Sequence, residues 1–287
     1  MTGFQEGMAE LGYVEGENIV YDVQVVDFDI PTYQNILQQF VDDKVDLIFV
    51  YPTEATLEAT HITAGTDVPV VFSFALIEGM GIVNSVQEPG GNVTGVRYPG
   101  PDIAVLRYEL LRDLMPDLNR ILIPYQAGYP IVQSQLAALY PVAEADGVTI
   151  VEAPVNTPDE LAAFLQNLAE SGDTDIDAIL GLAEPIAVNP TAVAVMAAFG
   201  EEYAIPVSGL LYLADSSYRS LFNVSVEMVK TGGLAAPLAH KIFQGIEPGT
   251  IPVVSADPFM EIDYNMIQQL GLELPETVLA VADVIYR

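Results

Sequence analysis

Val45-Asp46-Leu47-Ile48-Phe49-Val50 is an apolar run broken only by Asp46. It stops at Tyr51-Pro52-Thr53, and a helical pattern follows over 54–61. A short apolar strand, a turn and then a helix make up the repeating unit of a parallel sheet covered on both faces. The same unit recurs along the chain. Val68-Pro69-Val70-Val71-Phe72 ends at Ser73, and further strands fit 120–124, 148–151, 178–182 and 205–208. Helical spacing fits 32–42, with Tyr33, Ile36, Leu37 and Phe40 on one face, and also 103–115, 131–145 and 190–203. Thr157-Pro158-Asp159-Glu160 carries a helix start, with Thr as N-cap, Pro at the first position and Glu at the third.

Upstream of the opening run, Phe4, Met8 and Leu11 lie at helical spacing, and 18–25 reads as a strand. In it Tyr21, Val23 and Val25 share one face, and Asp22 and Gln24 the other. Two similar blocks, 1–98 and 99–216, predict an α/β chain of two doubly wound parallel-sheet lobes. The seam is rich in turn formers, Glu88-Pro89-Gly90-Gly91-Asn92 and Pro99-Gly100-Pro101. Doubly wound lobes commonly open on a central strand. The first block opens on a helix, so the pattern predicts a strand upstream of residue 1.

The chain has 287 residues, with 40 Asp+Glu against 9 Lys+Arg and a formal charge of −31. That charge opposes sequence-independent binding to nucleic acid and to anionic membrane surfaces. Half the residues are hydrophobic (51%), enough to fill a sizeable core rather than leave the chain disordered. The absence of cysteine excludes disulfides, thiolate nucleophiles and Cys-ligated metals. No apolar run reaches the roughly 18 residues of a membrane span. His61 and His240 fall in helical patterns and read as surface residues. No phosphate-binding loop, dinucleotide fingerprint or nucleophile elbow is present, so the sequence predicts no catalytic group, no metal and no cofactor. The sequons at Asn92 and Asn223 are chance-level matches.

In open parallel sheets ligands bind beyond the carboxyl ends of the strands. The candidate binding residues are therefore Tyr51, Pro52, Thr53, Ser73, Phe74 and Ala75 in the first lobe. In the second they are Tyr125, Gln126, Glu184 and Tyr212. Thr53 opens a helix and suits a carboxylate, or serves as an ordinary cap. Tyr51, Phe74 and Tyr125 suit an apolar or aromatic group, or core packing. Glu184 suits an ammonium group, or is one more solvated acid. Arg97, next to Tyr98 at the seam, is a rare cation. It suits a ligand carboxylate, or a salt bridge to a protein acid.

Several stretches resemble one family. They are Gly3-Phe4-Gln5-Glu6-Gly7, 10–18, 88–96, 110–116, Lys230-Thr231-Gly232-Gly233-Leu234, 270–275 and 282–285. In this order they resemble the substrate-binding proteins of ABC importers, in the group linked to tryptophan or tyrosine uptake. The resemblance implies a type I periplasmic-binding fold, with lobe 1 formed by 1–98 and 217–254 and lobe 2 by 99–216 and 255–287. It implies a hinge of three segments and a cleft that closes on a small organic ligand, amino-acid-like or another small carboxylate or amide. An extracytoplasmic location, an ABC permease as partner and an upstream leader or lipid anchor follow from the same likeness. Aromatic amino acid binders of the group tend to carry Thr-Asp-Asn where this chain has Ala183-Glu184-Pro185, and a small polar residue where it has Arg97. The alternatives are a ligand-sensing domain for signalling and a cofactor-free hydrolase or isomerase built on two carboxylates.

The charge has a direct consequence for stability. Raising NaCl from about 0.1 M to about 1 M shortens the screening length from roughly 10 Å to roughly 3 Å. Self-repulsion weakens, so the melting temperature is expected to rise by several degrees in a calorimetric scan. A flat or falling trend would show that the acids do not repel one another appreciably in the fold.

Overall fold

A computed structural model describes residues 1–26, 29–172, 174–209 and 220–287. It divides into two compact units, Met1–Pro99 with Val226–Asp257, and Gly100–Ser225 with Pro258–Arg287.

The first unit begins with α1 (Thr2–Glu10), α2 (Ile30–Asp42), β1 (Ile48–Val50), α3 (Thr53–Ile62), β2 (Val70–Ala75) and β3 (Val93–Arg97). The second contains α4 (Gly100–Leu114), β4 (Arg120–Gln126), α5 (Val132–Ala145), β5 (Thr149–Val155) and α6 (Pro158–Glu170). It continues through β6 (Ala178–Leu180), α7 (Pro185–Val188), α8 (Pro190–Tyr203), β7 (Val207–Ser208) and β8 (Phe222–Val226). The chain then returns to the first unit for α9 (Met228–Phe243) and β9 (Val254–Ser255). It ends in the second with β10 (Pro258–Asp263), α10 (Tyr264–Gln269), α11 (Glu276–Val281) and β11 (Val284–Tyr286).

In the first unit the strands run in the order β1-β2-β3-β9, all parallel. Side chains alternate between the sheet's faces. Ile48, Val50, Val70, Phe72 and Val93 pack with Tyr33 and Leu37 of α2 and Ala55 and Ala59 of α3. On the other face, Phe49 stacks on Phe4 of α1 with ring centres 4.1 Å apart, and α9 packs on β2 and β3. In the second unit the order is β5-β4-β6-β7, again parallel. Leu122, Ile179 and Val207 pack with Leu161 and Leu165 of α6 and Met196 and Phe199 of α8. The start signal at Thr157 forms as expected, its side chain accepting from the Glu160 N–H at 3.2 Å. Among the described residues no helix is long and apolar enough to cross a membrane.

Two expectations change. The chain returns to the first unit at Ser225–Val226 and leaves it at Asp257–Pro258, not at 216/217 and 254/255. The Leu221 N–H donates to Val207 O in the second unit, and the Ala256 N–H donates to Arg97 O in the first, so backbone pairing moves both boundaries. The 18–25 run is not a ladder strand. It forms an isolated bridge, Glu15 with Ile19, and then continues without ladder pairing, with Val20 85% and Val25 90% exposed. Alternation makes a segment able to pair, but a strand also needs a neighbour, and no described strand lies against it.

The tightest packing in the first unit is between α1 and α9. A Cβ on Gly3 would fall on the Val229 carbonyl, and one on Gly7 would lie 2.8 Å from Ala236 Cβ. From the other side, a Cβ on Gly232 would lie 3.2 Å from the Phe4 N. The backbones therefore meet through glycine on both helices, and a larger residue would force them apart. Gly7→Leu is expected to cost about 2 kcal/mol or more by urea unfolding, through overpacking. Glu6→Leu, exposed one position away, is expected to change stability by less than about 0.5 kcal/mol. Equal effects would mean that the contact is not close.

Candidate functional site

The carboxyl ends of β1 and β2 are built by local backbone devices. Tyr51 leaves β1 42% exposed, and its bond to Pro52 is cis. Thr53 then opens α3, and its hydroxyl oxygen accepts the Leu76 N–H at 3.0 Å. The Thr53 oxygen thus ties the start of α3 to the segment after β2. At the end of β2 the register with β3 slips between Ser73 and Ala75. Phe74 is the bulged residue, with φ +53°. A non-glycine residue in that region costs roughly 1 kcal/mol, and such bulges re-aim side chains at strand ends.

The Phe74 ring meets Tyr98 at 5.2 Å and borders a cavity of about 200 Å³. Tyr51, Ser73 and Phe74 line this cavity together with Phe49, Met1, Thr2, Gly3, Met228, Val229 and Gly232. Three expected residues therefore converge, and they meet the first turns of α1 and α9. The α9 residues had no local signal, because they follow the whole excursion through the second unit. Met228 is 50% exposed, an apolar side chain held at the cavity's edge. Ala75 is fully buried and packs in the α2/α3 core, on the side of the sheet away from this cavity.

Arg97 ends β3. Its Nε donates to Ser255 Oγ at 2.6 Å, and its guanidinium forms an ion pair with Glu78. A protein acid thus holds this cation, the second of the two roles its type allowed.

In the second unit, Tyr125 and Tyr140 both donate to the Glu152 carboxylate. Burial first, and then the bond to Glu152, push the Tyr125 hydroxyl up to about 12. Glu184 is buried. One oxygen accepts the N–H groups of Gln126 (2.8 Å) and Ile186 (3.0 Å), and the other that of Ala187 (2.6 Å). It caps α7 and joins the end of β4 to the loop after β6, and so is not one solvated acid among many. Burial raises its pKa above the usual carboxylate range, while the three amides pull the other way. Tyr212 lies outside the described residues.

Sequence reading missed two buried polar groups beneath this edge. Arg107 of α4 donates from Nε to Val224 O and from Nη1 to Gly181 O, each at 2.8 Å. Gln135 of α5 bonds to Ala183. Among the described residues no three His, Cys, Asp or Glu groups cluster as a metal site would. His240 is half-buried rather than superficial, with Nδ1 2.9 Å from the Tyr13 hydroxyl. Both sequon asparagines serve the fold. Asn92 donates to Thr63 O and Val68 O, and buried Asn223 donates to Glu261.

The raised Glu184 pKa fixes the sign of a pH effect. The carboxyl binds its proton more tightly folded than unfolded, so its contribution is fully present below the unfolded pKa. It is lost as pH rises through the folded pKa. Urea unfolding from pH 4 to 7 should show wild type losing stability relative to Glu184→Gln as pH rises, whatever constant offset the lost amide acceptance adds. A pH-independent difference would contradict the shift.

The family model for ABC transporter substrate binding proteins matches residues 1–285. A tyrosine-binding protein of Clostridioides difficile is 28% identical over 258 residues, covering 89% of this chain and 71% of that protein. A conserved domain protein of Vibrio cholerae has a similar structure, with TM-score 0.78 and 25% identity over 99% of this chain and 93% of that one. An ABC domain from Streptococcus pneumonia in complex with L-Trp gives TM-score 0.81 and 24% identity, over 99% and 92%. The expected α/β fold of parallel sheets is that of these structures. With the model match running through both units, the chain belongs to the ABC transporter substrate-binding protein family.

Proposed function

We propose that this chain is the extracytoplasmic binding component of an ABC importer, and that its ligand is an aromatic amino acid, L-tyrosine first. The observation that carries the reading is the cavity at the carboxyl ends of β1 and β2. Phe49, Tyr51, Phe74, Met228 and Val229 give it aromatic and apolar walls, and Ser73 and Thr2 give it hydroxyls. Aromatic and thioether surfaces suit a ring with one polar tip. The tyrosine-binding relative supports the same ligand class.

At about 200 Å³ this cavity is smaller than the roughly 300–1,000 Å³ of complete ligand pockets. The likeness to the family supports a second set of ligand contacts at the ends of β4 and β6, where Gln126 and Glu184 stand. A ligand that touches both units favours a closed state by its differential affinity, and an ABC permease reads that state. The process needs no bond chemistry. Arg97, held by Glu78 and Ser255, does not line this cavity, and the reading gives it no grip on a ligand carboxylate.

A thermal-shift screen with L-tyrosine, L-tryptophan, L-leucine and ribose tests the ligand. Stabilisation grows with ligand concentration over Kd, so tyrosine at about 100 times Kd would add about 2.7 kcal/mol. Tyrosine is expected to give the largest shift, and Tyr51→Ala to weaken calorimetric affinity at least tenfold. Small-angle scattering is expected to show a smaller radius of gyration with tyrosine. No shift with either aromatic amino acid at millimolar concentration would overturn the reading.

A further inference from the structure

The loop after β6, residues 181–184, is held by side chains at almost every position. Gly181 O accepts from Arg107 of α4 at 2.8 Å. Glu184 accepts three backbone amides, one of them from Gln126 at the end of β4. Between them, no strand among the described residues pairs with Ala183. Gln135 takes that place. Its Nε2 donates to Ala183 O at 3.1 Å, and its Oε1 accepts the Ala183 N–H at 3.0 Å. One amide side chain thus satisfies both polar groups of one peptide residue, as a neighbouring strand would. A second donation from Nε2, to Ile131 O at 3.1 Å, anchors the amide to the start of its own helix. Gln135 is 1% exposed, so water cannot easily replace these bonds.

We propose that Gln135 is a positioning residue for ligand binding, holding the 181–184 loop in the one shape that the second unit presents to the ligand. The inference rests on the functional reading above, which puts ligand contacts at the ends of β4 and β6. Gln135 does not touch the ligand. It acts by removing the ordering cost that a loose loop would add to each binding event. A buried amide is suited to this task, because it donates and accepts at once and carries no charge into the core.

The test uses the full chain, L-tyrosine and L-tryptophan. Gln135→Met keeps the length and removes both bonds to Ala183. Gln135→Glu keeps an acceptor for the Ala183 N–H and serves as the second variant if the first does not fold. Leu139→Ala is the control: Leu139 is fully buried on the same helix, and the substitution destabilises the second unit while leaving the Ala183 bonds in place. The expected result is at least a tenfold rise in Kd for Gln135→Met, a smaller rise for Gln135→Glu, and a Kd within about twofold of wild type for Leu139→Ala. Hydrogen exchange at the Ala183 amide is expected to quicken in Gln135→Met well beyond the change in Leu139→Ala. Unchanged affinity in a folded Gln135→Met, or an equal loss in Leu139→Ala, would overturn the positioning role alone. A wild-type chain that binds neither amino acid would overturn the functional reading and this inference with it.

Discussion

The first unit depends on one close approach, the backbone of α1 against the backbone of α9. Gly3 and Gly7 on one helix and Gly232 on the other leave no room for side chains between them. The two helices are separated by the whole excursion through the second unit. The first unit is therefore complete only when residues 226–257 have come back to it. Loop-closure entropy must be met before this contact forms. Once formed, it aligns two helix starts over the ends of β1 and β2 and fixes Phe4 on Phe49. The cavity is a product of that alignment.

Local features were legible because their causes are local. Apolar runs ending in turn residues became β1, β2, β4 and β6, and Thr157 became a cap because the N–H it accepts from lies three residues away. The residues that carry the family resemblance also have a physical reading: Gly3-Phe4-Gln5-Glu6-Gly7 and Lys230-Thr231-Gly232-Gly233-Leu234 are the two sides of one contact. What was hidden depended on distant partners. The 18–25 run alternates as a strand does but meets no described neighbour. Arg97 read as a ligand clamp as readily as a salt bridge, and only the fold places Glu78 beside it. Gln135 sits in a helical pattern as an unremarkable polar residue, and no spacing rule connects it to Ala183. Tyr51, Ser73 and Phe74 line one cavity and were expected together, since strand ends are visible in sequence; Met228 and Val229 line it too and were not expected, since the helix that brings them is remote.

A shortage of cations shapes the rest of the interior electrostatics. With nine basic residues against forty acids, carboxylates that must be held are mostly held by backbone N–H groups. Asp29 caps α2, Glu227 caps α9 and Asp263 caps α10. Asp177 accepts the Asn119 and Arg120 amides at the head of β4, and Asp283 accepts that of Met260. Glu184 is the most buried instance. Oriented amides stabilise an anion without adding a charge to the core. The scarce guanidinium of Arg107 is used on two carbonyl oxygens, those of Val224 and Gly181, rather than on an acid.

The bulge at Phe74 bears on how such a protein diversifies. Its φ of +53° is a conformation that glycine, asparagine and aspartate accept more readily than phenylalanine does. Exchanging the ring for one of these relieves backbone strain while emptying one wall of the cavity. Most positions that face a ligand couple a change of preference to a loss of stability. On the proposed reading position 74 differs, because relief of backbone strain offsets part of what is lost with the ring and its contact with Tyr98.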